Sequence, residues 1–337
     1  MSLKMGEITA FQRRILEMGK SDQSLPGRSQ HPWFQKKSAG AFQPALISWF
    51  EEEGKSYPWR ETDDPYAILV SELMLQQTRI ATVLEKRYFE RWLERFPDCE
   101  TLSEASEEDL LKAWEGLGYY NRARNLQKAA RAVIEEHDGV FPRELEAILG
   151  LPGVGRYTAG AVLSFAFDQR APIVDGNVTR VIARQFAWTG PVDDTAATRF
   201  FWGVAEEMTP ESRVRAYNSA IMELGQQICT KSSPRCEECP VSESCEAEEK
   251  GLTGEIPVKK KRAKTVLKEE HVCLVIRDGQ VFLTEESGSR RKGLWRLPEL
   301  TKAEAADLSE LFRFSYAITR YKVSLFVYSP TPLLLRK

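Results

Sequence analysis

The sequence predicts a mainly α-helical body followed by a smaller domain that contains a β-sheet. From Phe42 to about Glu248, apolar residues recur at intervals of three and four, the period of an amphipathic helix, and stop signals such as Gly150 interrupt them. After residue 270 the sequence changes to β-branched and aromatic runs around Asp278-Gly279, a pair typical of a hairpin turn. Between the two patterns, residues 250–268 combine glycine, proline and basic residues, which indicates a connector.

The chain has 337 residues, of which 42% are hydrophobic and 28% charged, an ordinary globular composition. The length suits two or three domains. No apolar run approaches the ~20 residues that cross a bilayer, and the N-terminus lacks the apolar core of a secretory signal. We therefore expect a cytoplasmic protein without a membrane partner. Residues 1–40 form a polar mixture, where we expect a loosely ordered extension.

The net charge of −2 gives no overall attraction to phosphate, but basic residues cluster at 86–91, 122–131 and 259–264. Phosphate contacts with nucleic acid require such clusters. Solvated helix faces and a charged connector explain the same residues equally well. Charge alone therefore leaves the function open.

A run of cysteines with the spacing C-x6-C-x2-C-x5-C predicts a metal centre. In a cytoplasmic chain, disulfides are a poor explanation for it. Four thiolates suit either a zinc ion or a 4Fe-4S cluster, and spacing alone separates these poorly. Cys99 and Cys273 stand apart and are predicted to be buried apolar residues. The predicted ligands are Cys229, Cys236, Cys239 and Cys245.

The segment LPGVGRYTAG, residues 151–160, predicts a tight turn between two short helices. Gly153 and Gly155 leave backbone N–H groups unobstructed at the start of the second helix, whose dipole attracts anions. These features predict a phosphate clamp without base specificity. A simple turn between helices is the alternative for an isolated Gly-x-Gly.

Glu72 is a candidate general acid. Asp64-Pro65 predicts the start of a helix, on which Glu72 shares a face with Ile68, Leu69 and Leu75. Burial on this apolar stripe would raise the pKa of the carboxyl, as a general acid requires. The alternative is a surface glutamate on an imperfect stripe.

Asp175 precedes the apolar-periodic stretch Val178 to Phe186 and is predicted to cap that helix. Capping N–H groups stabilise a carboxylate, so we expect Asp175 to stay ionised. One carboxyl that tends to be neutral and one that is ionised form the pair that glycosidic cleavage uses.

Several strings in order resemble the MutY family of adenine DNA glycosylases, over about Phe42 to Tyr328. They are PWR (58–60), SELMLQQT (71–78), WEGLGYYNRARNL (114–126), LPGVGRYTAG, VDGNVTRV (174–181) and the cysteine run. The resemblance implies a helix-hairpin-helix DNA glycosylase fold over 41–249, with a 4Fe-4S cluster on the four cysteines. It divides this domain into a six-helix module of about 70–170 and an iron-sulfur module of 41–69 plus 171–249.

The family pattern implies a role for each matched residue. Glu72 would protonate adenine, Asp175 would stabilise the sugar cation, Asn177 would orient Asp175, and Tyr157 would line the pocket. The related endonuclease III carries a nucleophilic lysine at the position of Tyr157. A phenol cannot form a Schiff base, so the resemblance implies base removal with little lyase activity.

Further matches concern the DNA. Trp59, Arg60 and Glu223 would belong to the base pocket. The residues that would enter the duplex beside the flipped base are Gln77, Thr78, Leu117 and Tyr119. The implied substrate is double-stranded DNA with adenine opposite 8-oxoguanine or guanine, bound by a monomer, at the nucleoid if the chain is bacterial.

Residues 269–337 are similar, through GLWRLP (293–298), to the Nudix-like domain of the same family, which we expect to be shortened here. The spaced glutamates of Nudix hydrolases are absent from the sequence, so the domain is expected to recognise damage. The best match to the family's Phe-Ser-His loop is Ile318-Thr319-Arg320, with Thr319 as the candidate contact. Ordinary strand surface is the alternative.

Two other functions remain open at this stage. One is a glycosylase of the same superfamily that removes thymine opposite guanine, and the other is an inactive iron-sulfur DNA-binding module. The presence of Glu72, Asp175 and Tyr157 argues against both.

Overall fold

The computed structural model describes residues 31–36, 39–260, 265–285, 295–318 and 320–330. The chain divides into two compact units, Met1–Lys260 and Lys261–Lys337. No helix in these described ranges is long and apolar enough to span a bilayer. The helical unit includes part of the stretch that we predicted as a connector, because Ile256 is buried in its core.

Fifteen helices and eight strands can be numbered along the described residues. The helices of the first unit are α1 Pro32–Gln35, α2 Ala39–Glu53, α3 Pro65–Leu75, α4 Ile80–Glu85, α5 Tyr88–Arg95, α6 Cys99–Glu104, α7 Glu107–Ala113, α8 Asn121–Glu136, α9 Leu145–Gly150, α10 Arg156–Phe167, α11 Gly176–Gln185, α12 Thr195–Met208, α13 Val214–Gln227 and α14 Glu246–Glu249. Short 3-10 turns lie at Pro58–Arg60, Cys236–Glu238 and Ser242–Ser244.

Two clusters of buried side chains form the core of the helical unit. The first surrounds Trp92 and Trp114, whose ring centroids lie 5.1 Å apart in an edge-to-face contact. The second includes Phe201 and Tyr217. Full burial of a large apolar side chain stabilises a fold by ~1.5–3 kcal/mol. Helix α10 contributes to both clusters and packs against α3 and α13, so it joins the two cores at the place where the site forms.

The predicted loose extension, 1–40, is wrong for its last part. Helix α1 carries Trp33, which is buried, and the indole N–H donates to the carbonyl oxygen of Ser244 at 2.9 Å. The Lys36 ammonium also lies 2.8 Å from the Glu249 carboxylate. The buried indole and these two long-range contacts therefore hold the segment against the helical unit, although its composition is polar. Residues 1–30 lie outside the described residues.

The second unit is built on a four-stranded sheet with the order β6-β1-β8-β7. Its elements are β1 Val266–Cys273, β2 Ile276–Arg277, β3 Gln280–Val281, β4 Thr284–Glu285, β5 Trp295–Arg296, β6 Glu299–Leu300, α15 Lys302–Ala305, β7 Glu310–Ile318 and β8 Tyr321–Tyr328. Strand β1 runs parallel to β8, and β7 and β8 are antiparallel. Strand β1 begins inside the stretch predicted as a connector.

The predicted hairpin at Asp278-Gly279 is confirmed. These two residues join β2 to β3 and have φ angles of 50° and 75°. Such positive angles match the right-handed twist of the paired strands. Each of the two strands has two residues.

Candidate active site

Helix α3 carries Glu72 into the interior, as predicted. Asp64 caps the helix by accepting a hydrogen bond from the Tyr66 backbone N–H at 3.0 Å, and Pro65 occupies its first position. Its side chains from Tyr66 to Met74 are all buried, so the helix lies in the core on every face. Glu72 is 7% exposed. The predicted burial of this carboxyl is confirmed.

The surroundings of Glu72 suit a group that carries a proton at neutral pH. Burial is the main cause, and it raises the pKa of Glu72 to about 7. A hydrogen bond with Tyr157 opposes the shift, the charge of Asp175 adds to it, and Arg60 opposes it again. A carboxyl with this pKa populates both its acid and its base form near pH 7.

Asp175 caps α11, as predicted. One carboxylate oxygen accepts hydrogen bonds from the backbone N–H groups of Asn177 at 2.9 Å and Val178 at 2.7 Å. The other accepts one from the Asn177 side-chain amide at 2.9 Å. These bonds fix the position of the carboxylate against the first turn of the helix.

The pKa of Asp175 differs from the expectation of a strongly stabilised anion. Burial raises it, and this effect outweighs the hydrogen bonds from Val178 and Asn177 and the charge of Arg180, which all lower it. Capping alone was the basis of the prediction, and it omitted the desolvation of a partly buried group.

Arg180 holds the first turn of α11 against α13. Its guanidinium donates to the Asn177 amide oxygen at 2.9 Å and to the carbonyl oxygens of Gly225 at 2.5 Å and Cys229 at 2.7 Å. A Cβ atom on Gly225 would lie 2.7 Å from the Asn177 Cβ, so the two helices touch at this glycine. Asn177 is thus fixed from three sides.

Tyr157, in the first turn of α10, interacts with both carboxyl groups. It is hydrogen-bonded to Glu72 and lies close enough to Asp175 for both negative charges to raise its pKa, although burial is the largest cause. Its hydroxyl also lies 3.9 Å from the Met222 sulfur. The structure therefore brings Glu72, Tyr157, Asp175 and Asn177 together from three helices that are separate in sequence.

A pocket with about 530 Å³ of empty space opens beside Glu72. Trp59 lines it and stacks on Tyr57 with ring centroids 5.2 Å apart. Arg60 also lines it and forms an ion pair with Glu223, which is fully buried. Glu223 does not itself line the pocket, but it holds Arg60 in place. The other lining residues are Tyr57, Ile68, Ser71, Leu75, Ile80, Phe165, Arg215, Ser219, Met222 and Gln226.

Sequence reasoning missed Arg180 and Arg215. Arg215 lines the pocket and donates to the carbonyl oxygens of Arg60 at 2.6 Å and Thr62 at 2.7 Å. The partners of both arginines are largely distant backbone carbonyls, which have no sequence pattern. The position of Arg180 inside VDGNVTRV was the one available signal.

The residues predicted to enter the duplex lie on two turns. Gln77 is exposed, Thr78 is partly buried, and Tyr119 is 66% exposed. Leu117 differs from these three, because it is buried in the first core cluster. Its apolar side chain is removed from water in the turn that presents Tyr119.

The predicted turn between two short helices is confirmed, with α9 and α10 on its two sides. Gly153 has φ +80°, and a Cβ atom there would lie 2.6 Å from the Asn125 Cβ. Gly155 is the N-cap of α10, and no side chain caps this helix. The backbone N–H groups of its first turn are therefore left for an external acceptor.

The four predicted ligands line one space of about 370 Å³, together with Arg184, whose guanidinium lies 3.2 Å from the Cys229 sulfur. Within the described ranges, no three His, Cys, Asp or Glu side chains converge tightly enough for a single metal ion. The four cysteines border one common space, as the ligands of one metal centre would. Burial raises the pKa of the Cys239 thiol to about 12, so ionisation there requires a metal.

Thr319 lies outside the described residues. Its neighbours end β7 at Ile318 and begin a turn at Arg320, whose guanidinium donates to the Tyr321 hydroxyl at 3.2 Å.

Family comparisons agree with this geometry. Residues 70–206 match the model of the HhH-GPD superfamily base excision DNA repair proteins, and residues 229–245 match the iron-sulfur binding domain of endonuclease III. The fold is therefore that of the helix-hairpin-helix DNA glycosylases, and the cysteine loop is a 4Fe-4S site.

Comparison with individual relatives identifies the family within this superfamily. The chain is 40% identical over 256 residues to the adenine DNA glycosylase of Mus musculus, across 73% of this chain and 48% of that protein. It is 33% identical to the adenine DNA glycosylase of Buchnera aphidicola subsp. Baizongia pistaciae, across 76% of this chain and 71% of that protein. A solved thermostable thymine-DNA glycosylase is 32% identical with a TM-score of 0.57, across 64% of this chain and 98% of that one.

The chain belongs to the adenine DNA glycosylase family. It spans about half the length of the mammalian relatives that it matches.

Proposed function

We propose that the protein hydrolyses the N-glycosidic bond of adenine mispaired with 8-oxoguanine or guanine in duplex DNA. The observation that carries the proposal is Glu72, a buried carboxyl with a pKa of about 7, hydrogen-bonded to Tyr157 and next to Asp175. Relatives named adenine DNA glycosylases support adenine as the base.

Glu72 is the general acid of this proposal. It donates its proton to a ring nitrogen of adenine, so that the base leaves as a neutral group. Correctly placed general acids typically contribute ~10²–10⁴ in rate. The apolar neighbours on α3 keep water away from the carboxyl and hold the proton until a base enters the pocket.

Asp175 stabilises the positive charge that develops on the sugar. The cation favours the ionised form of Asp175, so its raised pKa is overcome in the transition state. Asn177 and the backbone of α11 hold both oxygens of the carboxylate in place. Water then completes the hydrolysis at the sugar carbon.

Tyr157 limits the chemistry to base removal. A Schiff base with the opened sugar requires an amine, and no lysine is among the described residues that line the pocket. We therefore propose a monofunctional glycosylase that leaves the DNA backbone intact.

The pocket receives the base after it leaves the duplex. Stacked Tyr57 and Trp59 offer an apolar wall, and Arg60, fixed by Glu223, offers hydrogen-bond donors. Extrusion costs a few kcal/mol, and less for a mispair. Exposed Gln77 and Tyr119 are candidates for the space that the base leaves in the duplex.

One further feature anchors the DNA, and another stabilises the protein around the site. The uncapped start of α10 binds a phosphate through its backbone N–H groups. Cys229, Cys236, Cys239 and Cys245 would hold the 4Fe-4S cluster, which would cross-link the loop at 229–245. Arg180 connects this loop to Asn177, since it donates to the Cys229 carbonyl oxygen and to the Asn177 amide oxygen. We also propose that the second unit recognises the oxidised guanine and that the enzyme acts as a monomer in the cytoplasm.

A duplex cleavage assay tests the proposal. Duplexes with adenine opposite 8-oxoguanine and thymine opposite guanine are incubated with the cluster-loaded protein, with and without borohydride. We expect release of adenine, little release of thymine and no covalent trapping. Adenine left intact opposite 8-oxoguanine would refute the proposal.

Thymine opposite guanine is the second candidate, because the similar solved structure is a thymine-DNA glycosylase. Release of thymine with adenine left intact would favour this alternative. The same two duplexes therefore decide between the candidates.

A further inference from the structure

Arg122 is a buried arginine that donates to backbone carbonyls from two separate segments. It is 7% exposed, although it opens a basic cluster that the sequence suggests is solvated or phosphate-binding. Within the described part of the chain, no carboxylate forms an ion pair with it. Its acceptors are backbone carbonyls and the Thr78 hydroxyl.

The first segment is the end of α3. One guanidinium nitrogen donates to the carbonyl oxygens of Leu73 and Met74, each at 2.9 Å, and to that of Gln76. The last carbonyls of a helix have no partner within the helix, and a cation near them is favourable. Arg122 therefore caps the helix directly after Glu72.

The second segment is the turn that presents Tyr119. The other guanidinium nitrogen donates to the carbonyl oxygens of Leu117 at 2.8 Å and Gly118 at 3.1 Å. The guanidinium also lies over the Tyr119 ring, 5.7 Å from its centroid. One side chain thus holds both turns that we associate with the duplex.

Backbone conformation indicates that these turns need support. Gln77 has φ 58° and Tyr119 has φ 48°, so a non-glycine residue adopts the left-handed region in each turn. Such conformations persist where the surroundings fix them, and they cluster at functional sites. Arg122 contacts both turns, through Gln76 and Thr78 in one and through Gly118 and the Tyr119 ring in the other.

We infer that Arg122 is a positioning residue for the proposed base release. It fixes Glu72 through the end of α3, and it holds the Gln77 and Tyr119 turns in constant positions relative to each other. The acid and the two turns therefore reach the DNA together. This inference rests on the proposed function. The planar fork of arginine serves both segments at once, whereas the compact ammonium of lysine cannot reproduce that geometry.

Three variants test the inference. Arg122→Met removes all donors, Arg122→Lys keeps the charge, and Arg124→Met is the matched control from the same helix, where Arg124 pairs with Glu107 at the surface. Single-turnover adenine release, measured below each melting temperature and normalised to active sites, should fall on the order of 100-fold for Arg122→Met. Arg122→Lys should recover only part of this loss, and Arg124→Met should stay within about twofold of wild type.

The pH profile separates positioning from simple loss of stability. If Arg122 holds Glu72 in its dry site, Arg122→Met should move the kinetic pKa of the acid below its wild-type value, because the carboxyl gains water. A structural role alone would lower the melting temperature and leave this pKa unchanged. An unchanged rate and pKa in Arg122→Met would overturn the inference.

Hydrogen exchange in the free protein keeps the inference testable if no adenine is released. Arg122→Met, compared with Arg124→Met, should speed amide exchange in both segments, 73–78 and 117–120. If exchange becomes faster in neither segment, or in only one, the positioning role of Arg122 is contradicted even where the glycosylase assay succeeds. If exchange becomes faster in both segments while the wild type leaves adenine intact, the proposed function is refuted and the positioning role is retained.

Discussion

The helical unit and the sheet-containing unit differ in how they hold the side chains that matter. In the first, Glu72, Asp175 and Arg60 are each fixed by neighbours that are themselves buried or capped. In the second, the described core cluster is small, and large apolar side chains such as Leu267 and Trp295 are 77% and 64% exposed. Under the proposed function, the chemistry lies in the preorganised helical unit, and recognition of the opposite base lies in the less constrained one.

The largest expected effect is the loss of the acid in the helical unit. Glu72→Gln should bind the mispair and reduce adenine release by ~10² or more, because the amide cannot donate a proton of suitable acidity. Single-turnover rates check this, and substantial residual turnover would show that Glu72 is not the general acid.

The same variant should be more stable than wild type at high pH. Because the folded pKa of Glu72 is about 7 and its ordinary value is 4.5, the unfolded state gains ionisation free energy as pH rises between these values. Above pH 7 the decrease in the free energy of unfolding reaches its full value, up to roughly 3 kcal/mol. Melting temperatures at pH 8 should therefore be higher for Glu72→Gln, and equal values at pH 4 serve as the control.

The next largest effect concerns the cluster. Cys236→Ser removes one of the four ligands, and the purified protein should lose visible absorbance and unfold at a lower temperature. Cys99→Ser is a matched control, because Cys99 lies in the other core cluster. Full colour in Cys236→Ser would contradict the ligand set.

The pH dependence of the wild type comes third. Single-turnover adenine release should be nearly constant below pH 7 and fall about tenfold per unit above it, as the acid form of Glu72 is lost. At low pH, protonation of Asp175, whose pKa is also raised, should lower the rate again. A rate that increases steadily through pH 8 would exclude Glu72 as the acid.

The smallest effect is expected in the second unit. Thr319→Ala should reduce the preference for 8-oxoguanine over guanine by a few-fold, the range expected for loss of one hydrogen bond, with the adenine release rate unchanged opposite guanine. Ser324→Ala, on strand β8, provides a control for loss of a hydroxyl elsewhere in the unit. An unchanged preference would show that the contact lies elsewhere.

Sequence reasoning located the features that depend on near neighbours. The caps at Asp64 and Asp175, the buried stripe around Glu72 and the hairpin at Asp278-Gly279 each follow from residues a few positions apart. Such local patterns predict most of the helices of the helical unit.

It did not find features that depend on distant partners. Arg122 and Arg215 donate to backbone carbonyls more than 40 positions away, and no residue type marks such acceptors. The net pKa shift of Asp175 was missed for the same reason, since desolvation is set by chain segments that pack over it.

The contact between Gly225 and Asn177 has a consequence for how the chain can vary. A hydrogen atom at position 225 is all that separates α13 from the residue that orients Asp175. Alanine there would add one methyl group, well tolerated by helix propensity, and displace an amide on another helix. Variation at position 225 is thus limited by the position of the proposed catalytic carboxylate, because the two helices meet there without room for a methyl group.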